Sequence, residues 1–142
     1  DMACSMDFYV ELLVFKVILA YEDHTAAYLS AGSHHYLLAL DTWFAQHLPQ
    51  SESPGTGIFH SLIQYPTRKD LATVYLKLKT NAYPLIDAVA LGVSEIIYLE
   101  DPDGNRMELC WDRPKKEWPK KPNGSFERSL RPLDLEGLFL ML

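Results

Sequence analysis

Two side chains, His60 and Glu108, have the types and settings from which metal or acid–base chemistry is built. Glu108 lies at the centre of Arg106–Asp112, where Met107, Leu109 and Trp111 alternate with Arg106, Glu108 and Cys110, the period of a half-buried strand. An ionised carboxylate there is costly unless something pairs with it. The plain alternative is a solvent-facing Glu on the polar side of an amphipathic strand. His60 stands alone in the apolar, β-type run Gly57–Tyr65. A histidine so placed is either a core residue bonded to a neighbour or, as neutral imidazole, a metal ligand. One His and one Glu on strands are two thirds of a His/His/carboxylate set, the kind that holds a divalent ion with open positions. Tyr98, on the strand before the turn that leads to Glu108, could bring a phenol to the same cleft and orient or protonate an anionic substrate. Its plainer role is a buried ring with the hydroxyl at the rim.

The elements that must position these groups follow from local signals. Asp101-Pro102-Asp103-Gly104 is a tight turn: Pro102 presets φ, Asp103 suits the next position, and Gly104 can take positive φ. Strands are expected at Val14–Ala20, Ala26–Ser30, His34–Thr42, Gly57–Tyr65, Leu85–Ala88, Val93–Glu100 and Asn105–Asp112. Phe8, Tyr9, Leu12 and Leu13 recur at helical spacing within residues 2–13. Leu71, Val74, Tyr75 and Leu78 do so within Thr67–Thr80, which opens on a capping-box pattern with Asp70 in place of the usual Glu. Phe44–Thr56, rich in Gln, Ser, Pro and Gly, reads as a linker. The halves are helix-βββ and β-helix-βββ. A duplicated βαβββ unit explains both, with the first strand of the first copy missing from the chain. The expected organisation is α+β: a domain over 1–114 (module one 1–44, linker 45–56, module two 57–114) and a C-terminal tail over 115–142.

Composition bounds the class. The 142 residues are 48% hydrophobic and 23% charged, enough for a globular domain with a core. A net charge of −6 gives no broad basic surface for nucleic acid. Cys4 and Cys110 form neither a CxxC pair nor a disulfide framework. No run has the length of a membrane span and no signal peptide is visible, so a cytoplasmic protein is the default. Gly-rich phosphate loops and nucleophile elbows are absent from the sequence.

Ile58-Phe59-His60, Tyr65–Leu71, Gly92–Glu95, and Tyr98–Glu108 running on to Pro114 resemble the vicinal oxygen chelate superfamily, which includes glyoxalase I, extradiol dioxygenases and bleomycin-resistance proteins. Phe8–Leu13, Tyr28–Gly32 and Leu40–Trp43 are similar to the same group, and the likeness runs nearest to the amino-terminal half of catechol 2,3-dioxygenase-like proteins. It covers roughly residues 1–118. The resemblance implies paired βαβββ modules curved around a metal cleft. It implies His60 and Glu108 as metal ligands from the first and last strands of the second module. A third ligand is expected from the absent first strand, which would precede Asp1. By position His35 matches a family histidine better than His34, which makes it a catalytic candidate beside Tyr98. Tyr36, Leu37 and Leu91 stand where family members often carry histidine, a departure that bears on catalysis. Glu95 is expected to be a strand-surface carboxylate, and His24 and His47 to lie in connectors.

The implied activity is metal-dependent, with extradiol cleavage of a catechol-like substrate by Fe(II) or Mn(II) first. A glyoxalase-like lyase using Zn(II) or Ni(II), or non-catalytic binding of a small molecule of the drug-resistance type, are the alternatives. The resemblance also implies a homodimer or a two-domain assembly, with a small molecule as substrate.

Overall fold

The computed structural model describes residues 1–22, 25–32, 37–42, 58–127 and 129–142. The described chain divides into two compact units, Asp1–Ile58 with Asp101–Asp103, and Phe59–Glu100 with Gly104–Leu142. His24, His34, His35, Tyr36, Trp43, His47 and the expected linker over 45–56 lie outside the described residues.

In the first unit, helix α1 (Met2–Met6) starts because the Asp1 carboxylate accepts hydrogen bonds from the amides of Ala3 and Cys4, at 2.9 and 3.2 Å. It widens into a π-helical turn over Asp7–Leu12, so the expected helix over 2–13 has two parts with different hydrogen bonding. Val14 follows at φ 66°, costly for a β-branched residue, and turns the chain into β1 (Lys16–Ala20). β2 (Ala26–Ser30) pairs antiparallel with β1 and with β3 (Leu38–Asp41). Phe8, Leu13, Phe15 and Leu29 are buried. Tyr9 meets Phe8 and Phe15 edge-on and donates its hydroxyl proton to the buried Asp101 carboxylate at 2.8 Å. Asp101 also accepts the Asp103 amide at 3.0 Å, so the turn predicted from Asp101–Gly104 is held by its own side chains, with Gly104 at φ 84°.

The second unit is a five-stranded sheet in the order β4-β7-β6-β5-β8. Its strands are β4 (Ser61–Gln64), β5 (Asp87–Ala90), β6 (Ser94–Glu100), β7 (Arg106–Asp112) and β8 (Arg131–Pro132). β4 runs parallel to β7, and the remaining pairs are antiparallel. The parallel pair needs a crossover, and helix α2 (Arg68–Thr80) lies within it. Thr67 caps α2 in a reciprocal capping box with Asp70, as its sequence predicts. Leu71, Ala72, Val74, Tyr75 and Leu78 form its buried stripe.

The segment 115–142 adds to this unit. After a 3-10 turn at Lys115–Glu117, Trp118 donates to the Arg113 carbonyl at 2.6 Å and stacks edge-on against Phe126. β8 pairs with β5, and α3 (Leu135–Phe139) packs on α2 through the fully buried Leu138. The last residues are more open, with Leu140 84% exposed. Gly92, at φ 82°, lies where this segment crosses: a Cβ would meet Ser129 Oγ at 2.9 Å and the Pro119 ring at 3.1 Å.

Glu95 departs from the sequence expectation. It is not a surface carboxylate but 2% exposed, and it binds two arginines: Arg68 Nε at 2.7 Å and Arg113 Nη2 at 2.5 Å. Alternation puts it on the helix-bearing side of β6, where burial is tolerable only because both oxygens are met by guanidinium groups. Glu95→Ala leaves two partly buried cations without their carboxylate and is expected to cost about 3 kcal/mol. The exposed Glu127→Ala should change stability by less than about 0.5 kcal/mol. Urea unfolding midpoints of the two variants against the parent chain check this.

Candidate functional site

The second sheet turns one face to α2 and presents another row of side chains opposite. Across that second face the register aligns Asp87 with Tyr98, Tyr98 with Glu108, and Glu108 with Leu62. His60 precedes Leu62 by two residues, so alternation brings it to the same side just before β4 begins. There His60 Nε2 lies 3.4 Å from Glu108 Oε1. The imidazole is 37% exposed and the carboxylate 12%, so the pair has one wet and one shielded partner. His60 and Glu108, 48 residues apart in sequence, are thus joined by the parallel pairing of β4 with β7.

Tyr98 completes the row. Burial lifts its phenol above the ordinary value of 10.0; the Glu108 charge and a hydrogen bond with Glu108 push the same way, as do Cys110 and Asp87. The phenol therefore stays protonated and holds the carboxylate from the side away from β4. Behind the row, Cys110 packs with Val89 and Ile96, and its thiol contacts the Asp112 carboxylate at 3.6 Å. Burial, reinforced by Asp112 and Glu108, pushes this thiol up to about 12.

A cavity of about 230 Å³ opens on this face, lined among others by Phe59, His60, Ile86, Asp87, Tyr98 and Arg106. Its surface is mostly apolar. The Arg106 guanidinium sits 5.6 Å from the Phe59 ring centre and 3.8 Å from Glu100, its register partner. Phe59, Asp87 and Arg106 were not singled out from sequence. Phe59 and Arg106 flank the two candidate ligands, but Asp87 reaches the row only through the pairing of β5 with β6, which no local pattern encodes.

Two donors 3.4 Å apart suit one small cation, since neighbouring ligands on an octahedral ion with bonds of about 2.1 Å lie about 3 Å apart. A group of three or more His, Cys, Asp or Glu residues fit to hold a metal does not occur among the described residues. His35, the other catalytic candidate, lies outside them. No helix among them is long and apolar enough to cross a membrane.

Comparison with known proteins places this architecture. The family model of the Glyoxalase/Bleomycin resistance protein/Dioxygenase superfamily matches residues 1–109, and the chain belongs to that superfamily. It is similar to the catechol-2,3-dioxygenase of Bacillus subtilis (strain 168), with 32% identity over 139 residues that make up 94% of this chain and 46% of that protein. Similarity to biphenyl-2,3-diol 1,2-dioxygenase 3 of Rhodococcus globerulus is 31% over 104 residues, 73% of this chain and 54% of that one. The chain thus spans about half the length of the curated relatives it matches. Among solved structures, a glyoxalase/dioxygenase from Nostoc punctiforme shares the fold with a TM-score of 0.66 at 18% identity, covering 80% of this chain and 85% of that one. A glyoxalase/bleomycin resistance protein/dioxygenase from Alicyclobacillus acidocaldarius gives 0.58 at 18% identity, covering 82% and 87%. These neighbours bear out the expected fold class, α+β with two sheets of the glyoxalase type.

The two thiols should behave differently. Cys4 is exposed, whereas Cys110 is buried with its ionisation suppressed. A thiol-reactive chromophore at pH 8 should titrate one equivalent quickly in the native protein and a second only in denaturant. A Cys4→Ser variant that still reacts quickly would contradict this environment for Cys110.

Proposed function

We propose that the chain supports metal-dependent oxygenation of a catechol-like substrate, with His60 and Glu108 as two ligands of a divalent ion, Fe(II) or Mn(II). The observation that carries this is the 3.4 Å approach of His60 Nε2 to Glu108 Oε1 beside an aromatic-lined cavity. The ion, when bound, would supply chelation of two adjacent substrate oxygens and the redox chemistry that O2 requires. The remaining work belongs to the chain. Tyr98 holds the Glu108 carboxylate through its hydroxyl and, kept protonated by its surroundings, adds no further negative charge beside an anionic diol. Phe59 and Ile86 give a ring an apolar surface and exclude water from it. His35 is kept as a candidate catalytic group from sequence alone. Family resemblance also carries the expectation of a third ligand and of a homodimer or two-domain assembly.

The dioxygenase reading is preferred to a lyase because the curated relatives named above are both ring-diol dioxygenases by name. Oxygen uptake by the Fe(II)- or Mn(II)-loaded chain on addition of catechol, with both atoms of labelled O2 in the product, is the expected result. Turnover of a hemithioacetal with Zn(II) or Ni(II) and no oxygen uptake would replace the dioxygenase reading by the lyase one. His60→Ala and Glu108→Ala should each weaken divalent-metal binding by more than about tenfold, since loss of a mere supporting group already costs about 10–100-fold. Elemental analysis after equilibrium dialysis checks this, and unchanged metal content in both variants would remove the ligand assignment.

A further inference from the structure

We infer that Asp87 makes the cavity selective for ring diols carrying a cationic or hydrogen-bond-donating substituent, and against those carrying a carboxylate. The inference rests on the catechol-type reading of the site and adds a substrate class to it.

Asp87 lies in register with Tyr98 on β5, two strands from Glu108, which is about 10 Å at ordinary strand spacing. It belongs to the wall of the same cavity, at the opposite end of the row from His60. One carboxylate oxygen, Oδ1, accepts the Ala88 amide at 2.7 Å at the strand start, and the exposed group can meet a ligand at the cavity mouth. The cavity has the volume for a ring, since an apolar cavity of about 150 Å³ is sufficient for benzene.

Charge on this face is unevenly placed. At the His60 end the carboxylate is Glu108, which the proposed divalent ion would neutralise. Arg106 is matched by Glu100 at 3.8 Å and lies against Phe59. Among the described residues no cation pairs with Asp87, so the far end of the row carries a carboxylate without a counter-charge. A ring held by its adjacent oxygens at the His60 end and lying over Tyr98 directs its opposite edge toward Asp87. An ammonium or hydroxyl there meets an acceptor. A carboxylate meets a like charge, which costs both repulsion and desolvation.

The test is calorimetric titration of the full chain, saturated with Mn(II) under anaerobic conditions, with three probes: catechol, dopamine and 3,4-dihydroxybenzoate. Dopamine is expected to bind at least about tenfold more tightly than 3,4-dihydroxybenzoate, a modest figure for reversing the charge beside one partly solvated carboxylate. In Asp87→Asn, which keeps the size and the acceptor for the Ala88 amide, that ratio should fall to about twofold. Higher salt should shrink the ratio in the parent chain and leave it nearly unchanged in the variant. Equal binding of all three probes, or a ratio that survives Asp87→Asn, overturns the role of Asp87 while leaving the catechol reading in place. Failure of every probe to bind overturns that reading and this inference with it.

Discussion

The register between β6 and β7 decides which side of the second sheet each ionisable group faces, and most of the chemistry follows from it. Seven consecutive pairs, from Ser94 opposite Asp112 to Glu100 opposite Arg106, lock these strands together. A slip of one residue would send every side chain of the slipped strand to the wrong face. In β6 it would turn Tyr98 under α2 and bring Glu95 out. The self-anchored turn between the strands fixes the register at one end, through Gly104 and the Asp101 carboxylate.

Glu95 and Glu108 show how the two faces treat the same side chain. Both are glutamates inside buried strands. Glu95 lies under the first turn of α2 and is answered by two guanidinium groups, so its charge is spent inside the fold and the helix start is fastened to the sheet. Glu108 faces away from the helix, where a half-exposed imidazole and a protonated phenol are its neighbours. Neither neighbour carries a fixed positive charge. A buried carboxylate met by no guanidinium or ammonium group has coordination capacity left for a cation, and this is the physical difference between a structural and a candidate functional glutamate here.

The cavity beside Glu108 combines an apolar lining with polar groups concentrated along one row. Such a surface binds a ring by area and orients it by a few directed contacts. The aromatic and cationic rim of Phe59 and Arg106 and the acidic end at Asp87 give that row a direction.

Much of this was legible in the chain. The capping box at Thr67, the turn at Asp101–Gly104 and the period-2 run ending at Asp112 depend on interactions within a few residues, and the structure forms them where those signals lie. His60 and Glu108 stood out because a lone imidazole and a carboxylate in apolar strands are energetically conspicuous wherever the chain leads. Their meeting was not readable from spacing, since it depends on β4 pairing parallel to β7 across an intervening helix. Nor were the double arginine pairing of Glu95, the arrival of Asp87 at the row, or the use of 131–139 as an added strand and helix. Local backbone preferences and hydrogen-bonding demands act between near neighbours and are written in the sequence. The face a side chain occupies and the partner it finds depend on strand order and register, which arise only when distant segments compete to bury apolar surface together.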